Sequence, residues 1–367
     1  MIELNKAAHY VSDKIDVSSL KIEEYITTDN MIPNRGGVVD CENLPKASRV
    51  TRYEPGDILI SNIRPYFKKI WFSDRISGCS NDVIVFRAND ENWNKKFLYY
   101  VLSQDYFFDF MMAGSNGTKM PRGNKKTIPE FLIPDFDIDK QIRIADILSA
   151  YDSLIKNNQK QIKLLEEAAQ RLYKEWFVDL HFPGYEDVKI VDGLPEGWQK
   201  VSLTEIAPIV TGKKDANFGT ENGPYMFFTC AQEPIKAPSY SFDCDAVILA
   251  GNGDFNVKLF RGQFEAYQRT YVFSPYDSNN LYLLYYAVKD NMRQLFQGAS
   301  GSTIKFLTKR MLEEIMIHIP DENTLETFTK YCESYQKKIE ILNKQITVAK
   351  EARDRLFPKL MSGEIEV

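Results

Sequence analysis

Histidine and cysteine are scarce in this chain, with three and five residues among 367. His9, His181 and His318 are far apart, and His318 alternates with Ile317 and Ile319 as a structural histidine on a strand does. No two of Cys41, Cys79, Cys230, Cys244 and Cys332 are spaced as a zinc knuckle or redox pair. Their odd number suits free thiols in a reducing cytoplasm. Neither a metal site nor a disulfide framework is expected. No apolar run approaches the roughly 18–20 residues that cross a bilayer. The opening Met1-Ile2-Glu3-Leu4-Asn5-Lys6 also lacks the apolar core of a secretory signal. The expectation is a cytoplasmic protein with no membrane partner. An excess of positive charge is missing too, since 46 Lys and Arg stand against 51 Asp and Glu, a net charge of -5. That does not exclude nucleic acid, which needs a local basic patch rather than a basic protein. Enzyme signatures are absent: there is no Asn/Asp-Pro-Pro-Tyr/Phe run to hold a flipped base and no Walker loop. Gly251-Asn252-Gly253-Asp254 follows a strand pattern, but no long helix opens from it and no third glycine follows. No catalytic residue is identified, and no cofactor is expected to be bound by the chain itself.

What is present is a heptad pattern that occurs twice. Ile144, Leu148, Tyr151, Ile155, Asn158, Ile162, Leu165, Ala169, Leu172 and Trp176 follow alternating steps of four and three. That is the 3.5-residue period of a coiled-coil seam. The same spacing returns 184 positions later in Phe328, Cys332, Tyr335, Ile339, Leu342, Ile346, Ala349, Arg353, Leu356 and Leu360. Pro358 is expected to kink the second helix, which makes Leu360 a doubtful seam member. The repeat extends beyond the seams. Ser115 and Thr118 match Ser300 and Thr303, Ile133-Pro134 match Ile319-Pro320, and seven of fourteen pairs are identical between 160–173 and 344–357. A tandem duplication filling the chain follows, and 44% hydrophobic residues suffice for two cores.

Short β-branched runs (Asp57 to Ser61, Asp82 to Arg87, Ala246 to Ala250) read as strands, and Lys95 to Met112 and Leu281 to Phe296 as helices. The closing strands are Phe131 to Pro134 and Glu314 to Pro320. Asp139 is the expected cap of the first long helix, which runs to about Val178. The second starts near Asn323, with Glu326 completing a capping box. The fold class is α+β: a strand-rich unit and a long helix, each duplicated, with the two helices packing as an antiparallel coiled coil about a pseudo-twofold axis. The boundaries are 1–138 for the first strand-rich domain, 139–180 for the first helix and 181–197 for a Gly/Pro linker. The second domain spans 198–321, and the second helix with its tail 322–367. Full overlap pairs positions whose numbers sum to about 504, placing Leu172 by Cys332 and Arg353 over the Tyr151 ring. Each seam spans roughly 50 Å at about 1.5 Å per residue, suited to holding two readers a fixed distance apart on a polymer. Double-stranded DNA is the obvious polymer.

Two regions of the first half carry chemistry for it. One is the loop with Ser115, Asn116, Thr118, Lys119, Arg122, Lys125 and Lys126; the other holds Asn62, Arg64, Tyr66, Lys68 and Lys69. Hydroxyl, amide and basic groups suit phosphate oxygens, and Asn or Arg suits base edges. The parallels in the second half are Lys213, Lys214, Gln263, Gln268, Arg269, Ser300, Ser302, Thr303 and Lys305. A basic, glycine-containing loop is more often solvated surface than binding site; its weight here comes from recurring at the same place in both halves. A protein–protein scaffold with two binding heads and no DNA role is the alternative that composition leaves open.

These residues resemble a known family, the specificity subunits of type I restriction–modification enzymes, over essentially the whole chain. The resemblance is carried by Arg171-Leu172-Tyr173-Lys174-Glu175-Trp176-Phe177-Val178 with Phe182-Pro183-Gly184, by Leu194-Pro195-Glu196-Gly197-Trp198, and by the end from Arg355 to Ile365. Pro55-Gly56-Asp57-Ile58-Leu59 and Gly301-Ser302-Thr303 are similar to interior signatures. The chain departs from the pattern at its start, where no Leu-Pro-x-Gly-Trp lead precedes the first domain. The resemblance implies two target recognition domains, each reading half of a bipartite DNA sequence. It implies that the paired helices set the spacer and dock two methyltransferase subunits, which use S-adenosylmethionine. It also admits a restriction or translocase subunit that uses ATP and magnesium.

Overall fold

In the computed structural model the described residues are 1–115, 119–299 and 305–367. They form two compact units, 1–156 with 346–367, and 157–345. The first unit holds a four-stranded antiparallel sheet in the order Ala8–Tyr10, Val83–Ala88, Ile58–Ser61, Ile70–Phe72. Its central strands are continuous apolar runs because both faces are covered. Ile58, Ile60, Ile84 and Phe86 pack toward the helices, whereas Leu59, Val83 and Val85 join a second cluster with Ile26, Met31 and Tyr53. Alternation along the strand divides the two sets. The Pro55-Gly56-Asp57 turn feeds this sheet. Gly56 is left-handed, and the buried Asp57 carboxylate accepts the Glu54 N–H and two 2.8 Å bonds from Arg87. Those bonds to Asp57 hold the Arg87 guanidinium above its ordinary pKa.

The second unit repeats the logic with a six-stranded sheet: Val210–Thr211, Thr270–Phe273, Phe242–Ala250, Val257–Ala266, Tyr225–Phe228, Ile235–Ala237. One pairing, Tyr225–Phe228 with Val257–Ala266, is parallel. Val247 and Leu249 pack toward the helix Leu281–Gly298, and Ala246 and Ile248 toward Phe228 and Phe264. Both halves open and close alike. Ile2–Glu3 pairs with Leu132–Ile133, and Gln199–Ser202 with Met316–Ile319. A one-turn helix follows each opening strand, and its first N–H donates to the carbonyl of Phe131 or Ile315.

The long helices are Ile138–Tyr173, continued by a π-helical turn Lys174–Val178, and Glu322–Ser362. Each gives one end to each unit. In the first unit, Ile144 and Leu148 share a core with Leu360 and Met361, and Arg353 bonds Asp152 at 2.7 Å. Asp152 also accepts the Tyr100 hydroxyl at 2.6 Å, so one carboxylate ties the helix Lys95–Ser103 to both long helices. Burial works against the Arg353 charge, but its bonds to Asp152 and Asp354 prevail and raise its pKa. In the second unit, the rings of Trp176 and Phe328 lie 6.1 Å apart, and Asn158 donates to Gln345 at 3.1 Å. These three pairs fall within one residue of the full-overlap antiparallel register. Every seam position is buried or half-buried.

Several local expectations are corrected. The stretch from Lys95 to Met112 is two helices, Lys95–Ser103 and Asp105–Ala113, broken at an extended Gln104. The gap from Leu102 to Phe107 fits no helical spacing, and Ser103 to Tyr106 is polar or amphipathic. Asp137, not Asp139, caps the first long helix, accepting the Lys140 N–H at 2.8 Å. Asp321 caps the second, accepting the Thr324 N–H at 3.0 Å, while Glu326 pairs with Lys330 on the surface. The helix continues through Pro358, because Leu360 and Met361 beyond it are buried in the first unit's core. Arg353 turns to Asp152 and Asp354 rather than the Tyr151 ring, a hydrogen-bonded ion pair outweighing a cation–π contact.

Two measurements check this arrangement. Leu172→Cys should form a disulfide with Cys332 under mild oxidation, because Leu172 packs against the cluster holding Cys332; a chain that stays reduced contradicts the register. Asp321 is a cap and also accepts from Trp198 Nε1 at 3.3 Å. Burial opposes its charge, but bonds from Thr324 and Trp198 overcome that and keep its pKa below the ordinary value. Asp321→Ala should cost about 1 kcal/mol. A depressed carboxylate stabilises above its unfolded pKa and loses that contribution as pH falls through the folded one. The difference between the two proteins should therefore shrink below about pH 4.

Candidate nucleic-acid interface

In the first unit the two candidate regions are brought together by backbone hydrogen bonds. Arg64 N–H donates to Pro121 at 2.8 Å, Gly123 N–H to Asn62 at 3.1 Å, and Ile63 bridges Arg122. Gly123 is required by this approach, since a Cβ there would lie 2.8 Å from Asn62 Oδ1 and 2.9 Å from the Met111 side chain. A third segment, absent from the sequence expectation, joins from the other side: Asn34 and Arg35 N–H groups donate to Phe67 and Lys68 at 2.8 and 2.9 Å. Asn34, Arg35, Arg64 and Lys68 all have positive φ, from 50 to 62°, and are the only non-glycine residues of this unit that do among those described. Such residues are uncommon and concentrate where a backbone is held for a task. The signal for the missed segment was its turn chemistry, Pro33-Asn34-Arg35-Gly36-Gly37.

The cations of this face differ in their engagement. Arg35 and Lys68 converge on Asp105, Lys68 at 2.9 Å, and hold that carboxyl below the usual range. Arg122 pairs with Asp82 at 3.3 Å, and Lys125 donates to the Asn81 carbonyl at 3.2 Å. Lys69 donates to the Thr28 carbonyl at 2.6 Å. Lys119 and Lys126 are exposed and make no ion pair among the described residues. Tyr66 and Phe67, with rings 4.7 Å apart, add an exposed aromatic pair. Ser115 is half-buried at the end of its helix; Asn116 and Thr118 lie outside the described residues. Cations, amides and aromatic faces together can meet phosphate, base edge and sugar.

In the second unit, Lys213 and Lys214 follow the edge strand Val210–Thr211. Lys214 bridges Tyr267 and accepts the Gln268 N–H at 2.9 Å, and its ammonium sits 4.4 Å from the Phe218 ring centroid. Gln268 donates to Asp215 at 2.7 Å. The Arg269 carbonyl accepts the Gly251 N–H at 2.9 Å, and Asn252 bridges Phe306, which brings Lys305 to the same neighbourhood. A Cβ on Gly251 would lie 2.4 Å from that carbonyl, so the glycine serves close packing rather than a phosphate cradle. Gln263 stands apart, bonded to Asp243 at 2.9 Å. Ser300, Ser302 and Thr303 lie outside the described residues. His318 is structural, its Nδ1 being 2.7 Å from the Phe177 carbonyl. Among the described residues no helix is long and apolar enough to cross a membrane, and no cluster of three His, Cys, Asp or Glu can hold a metal.

A family model described as the type I restriction modification DNA specificity domain matches residues 46–167 and 195–351, one segment in each half. The EcoDI specificity subunit of Escherichia coli, a type I restriction enzyme subunit, is 35% identical over 179 residues, 47% of this chain and 39% of that protein. This chain therefore spans well under half the length of that relative. The MjaIX specificity subunit of Methanocaldococcus jannaschii is 25% identical over 303 residues, 74% of this chain and 69% of its own. Among solved structures, the S subunit of a type I restriction–modification system from M. genitalium superposes with a TM-score of 0.58. It covers 98% of this chain and 99% of that one at 18% identity, a likeness of fold.

Gly212 offers a check on the second unit's loop cluster. A Cβ there would fall 1.9 Å from the Ala266 carbonyl oxygen, a backbone atom that cannot step aside cheaply. Gly212→Ala should cost about 1–3 kcal/mol and raise amide exchange at Gln268 and Thr270. Unchanged exchange at both would show that the loops are not held by this approach.

Proposed function

Because this chain belongs to the family of type I restriction modification DNA specificity domains, we propose that it is the non-catalytic DNA-recognition subunit of a restriction–modification complex. Each strand-rich unit reads one half of a bipartite, asymmetric target in double-stranded DNA, and the paired helices set the unspecific spacer. The observation that carries this reading is the backbone docking of the loop 119–126 onto the segment 62–69. It assembles a basic, aromatic, hydrogen-bonding face from two regions that sequence alone left separate. The residues of this face that touch DNA are Asn62, Arg64, Tyr66, Lys68, Lys69, Ser115, Lys119, Arg122, Lys125 and Lys126, with Asn116 and Thr118 on the same loop. In the second unit they are Lys213, Lys214, Gln268, Arg269 and Lys305, with Gln263 at the margin, and Ser300, Ser302 and Thr303, which precede Lys305 in the sequence, complete the set.

Two methyltransferase subunits are the partners, bringing S-adenosylmethionine, and a restriction or translocase subunit brings ATP and magnesium. Exposed apolar residues on the outer faces of the long helices support such docking. Leu164 and Val348 occupy equivalent positions in the two heptad copies and are both exposed; Leu154 and Ile341, at non-equivalent positions, are exposed too. A duplicated patch suits two copies of one partner. The site of action is the cytoplasm, which holds the DNA, and the five free cysteines suit its reducing pool.

Charge reversal tests the DNA role. Lys119→Glu with Arg122→Glu should lower affinity for duplex DNA steeply and flatten its dependence on salt. Unaltered affinity and salt slope would favour a protein–protein scaffold instead. Replacing 200–320 by the same stretch of another family member should change one half of the methylated motif and leave the other half intact. A change in both halves contradicts the division of reading between the units.

A further inference from the structure

Resting on the reading of the first unit's face as a DNA surface, we propose that Arg64 is its base-reading residue, recognising the major-groove edge of a guanine. The cations around it are already engaged. Arg35 and Lys68 hold Asp105, Arg122 holds Asp82, and Lys69 and Lys125 are bonded to backbone carbonyls. The Arg64 guanidinium has no ion pair, hydrogen bond or ring contact among the described residues. Its Nε is buried without a partner. A buried, unpartnered donor costs about 1–3 kcal/mol, a cost that a ligand acceptor would remove. The neighbouring charge does not help, because Lys69, held below the usual lysine range by its burial, is lowered further by Arg64. An acceptor is what the Arg64 guanidinium lacks.

The backbone adds direction. Arg64 is left-handed at φ 50°, locked between its own N–H on Pro121 and the 3₁₀ turn Pro65–Phe67. Two residues earlier, Asn62 is buried and its Oδ1 is also unpartnered. An arginine held by a rigid main chain, two residues along from an orphaned amide oxygen, matches the demands of direct readout. Guanine O6 and N7 take a forked guanidinium, and Arg is the residue most used for that edge. Phosphate needs no such precision, and exposed Lys119 and Lys126 suffice for it.

The left-handed backbone supplies a clean variant. Glycine accepts φ 50° without strain, so Arg64→Gly should keep the fold, with melting unchanged or slightly higher, while removing only the side chain. The full chain would be assembled with its modification subunits and the methylated motif read by sequencing. Arg64→Gly should relax a single G·C position in one half-site, with discrimination there falling about 10–100-fold. Affinity for random duplex should fall far less than affinity for the target, so the specific-to-random ratio is the reading that changes. Arg64→Gln should move the preference at that position toward adenine. A uniform loss over all sequences with a slope lower by about one marks a phosphate contact and overturns the assignment, as does an unchanged motif. Lys119→Glu separates the two levels. If it weakens duplex binding while Arg64→Gly leaves the motif intact, the assignment of Arg64 fails alone. If neither variant alters DNA binding, the reading of the face fails with it.

Discussion

Everything in this fold depends on one antiparallel register between two long helices. Trp176 on Phe328, Asn158 on Gln345 and Asp152 on Arg353 are three chemically different contacts, yet they agree to within a residue. The apolar pair supplies burial. The amide pair and the ion pair are costly to break, because slipping either would leave polar groups without partners. A polar position in an otherwise apolar seam fixes register at some loss of stability. The seam also completes both cores. Leu360 and Met361 lie in one core with Leu4 and Ile58, so the first unit's core is built from segments far apart in the sequence.

On that frame the proposed recognition faces are held largely by backbone hydrogen bonds. In the first unit, three loops far apart in sequence exchange main-chain hydrogen bonds, and four non-glycine residues accept left-handed geometry where they meet. In the second, glycines 212 and 251 let carbonyl groups approach to distances that no Cβ allows. Side chains on such loops are free to change without loss of the fold. That is the physical condition for a protein whose target sequence varies while its assembly does not.

The periodic features were legible in the sequence because they arise from repeated local constraints. The 184-residue offset between seams follows from spacing alone, and the register follows once two equal copies are overlapped fully and antiparallel. Caps were misplaced by two residues, because Asp137 and Asp139 are equally good candidates and only the geometry of the entering chain chooses Asp137. Pro358 misled for a related reason: local propensity disfavours it, but burial of Leu360 and Met361 beyond it prevails. The turn chemistry of Pro33 to Gly37 marks a turn at Asn34 and Arg35 but not its neighbours, since their place depends on hydrogen bonds to Phe67 and Lys68 that a local pattern does not encode. Family resemblance filled part of that gap for the overall role, but it does not reach individual loop residues.

The central claim is that a duplicated chain reads two separate blocks of DNA at a spacing set by one helical seam. Sequencing the methylated DNA of cells that carry the complete assembly tests it most directly. The account predicts a single asymmetric motif, two specified blocks divided by an unspecified spacer of constant length. A contiguous motif, a spacer of variable length, or methylation without sequence preference would contradict it.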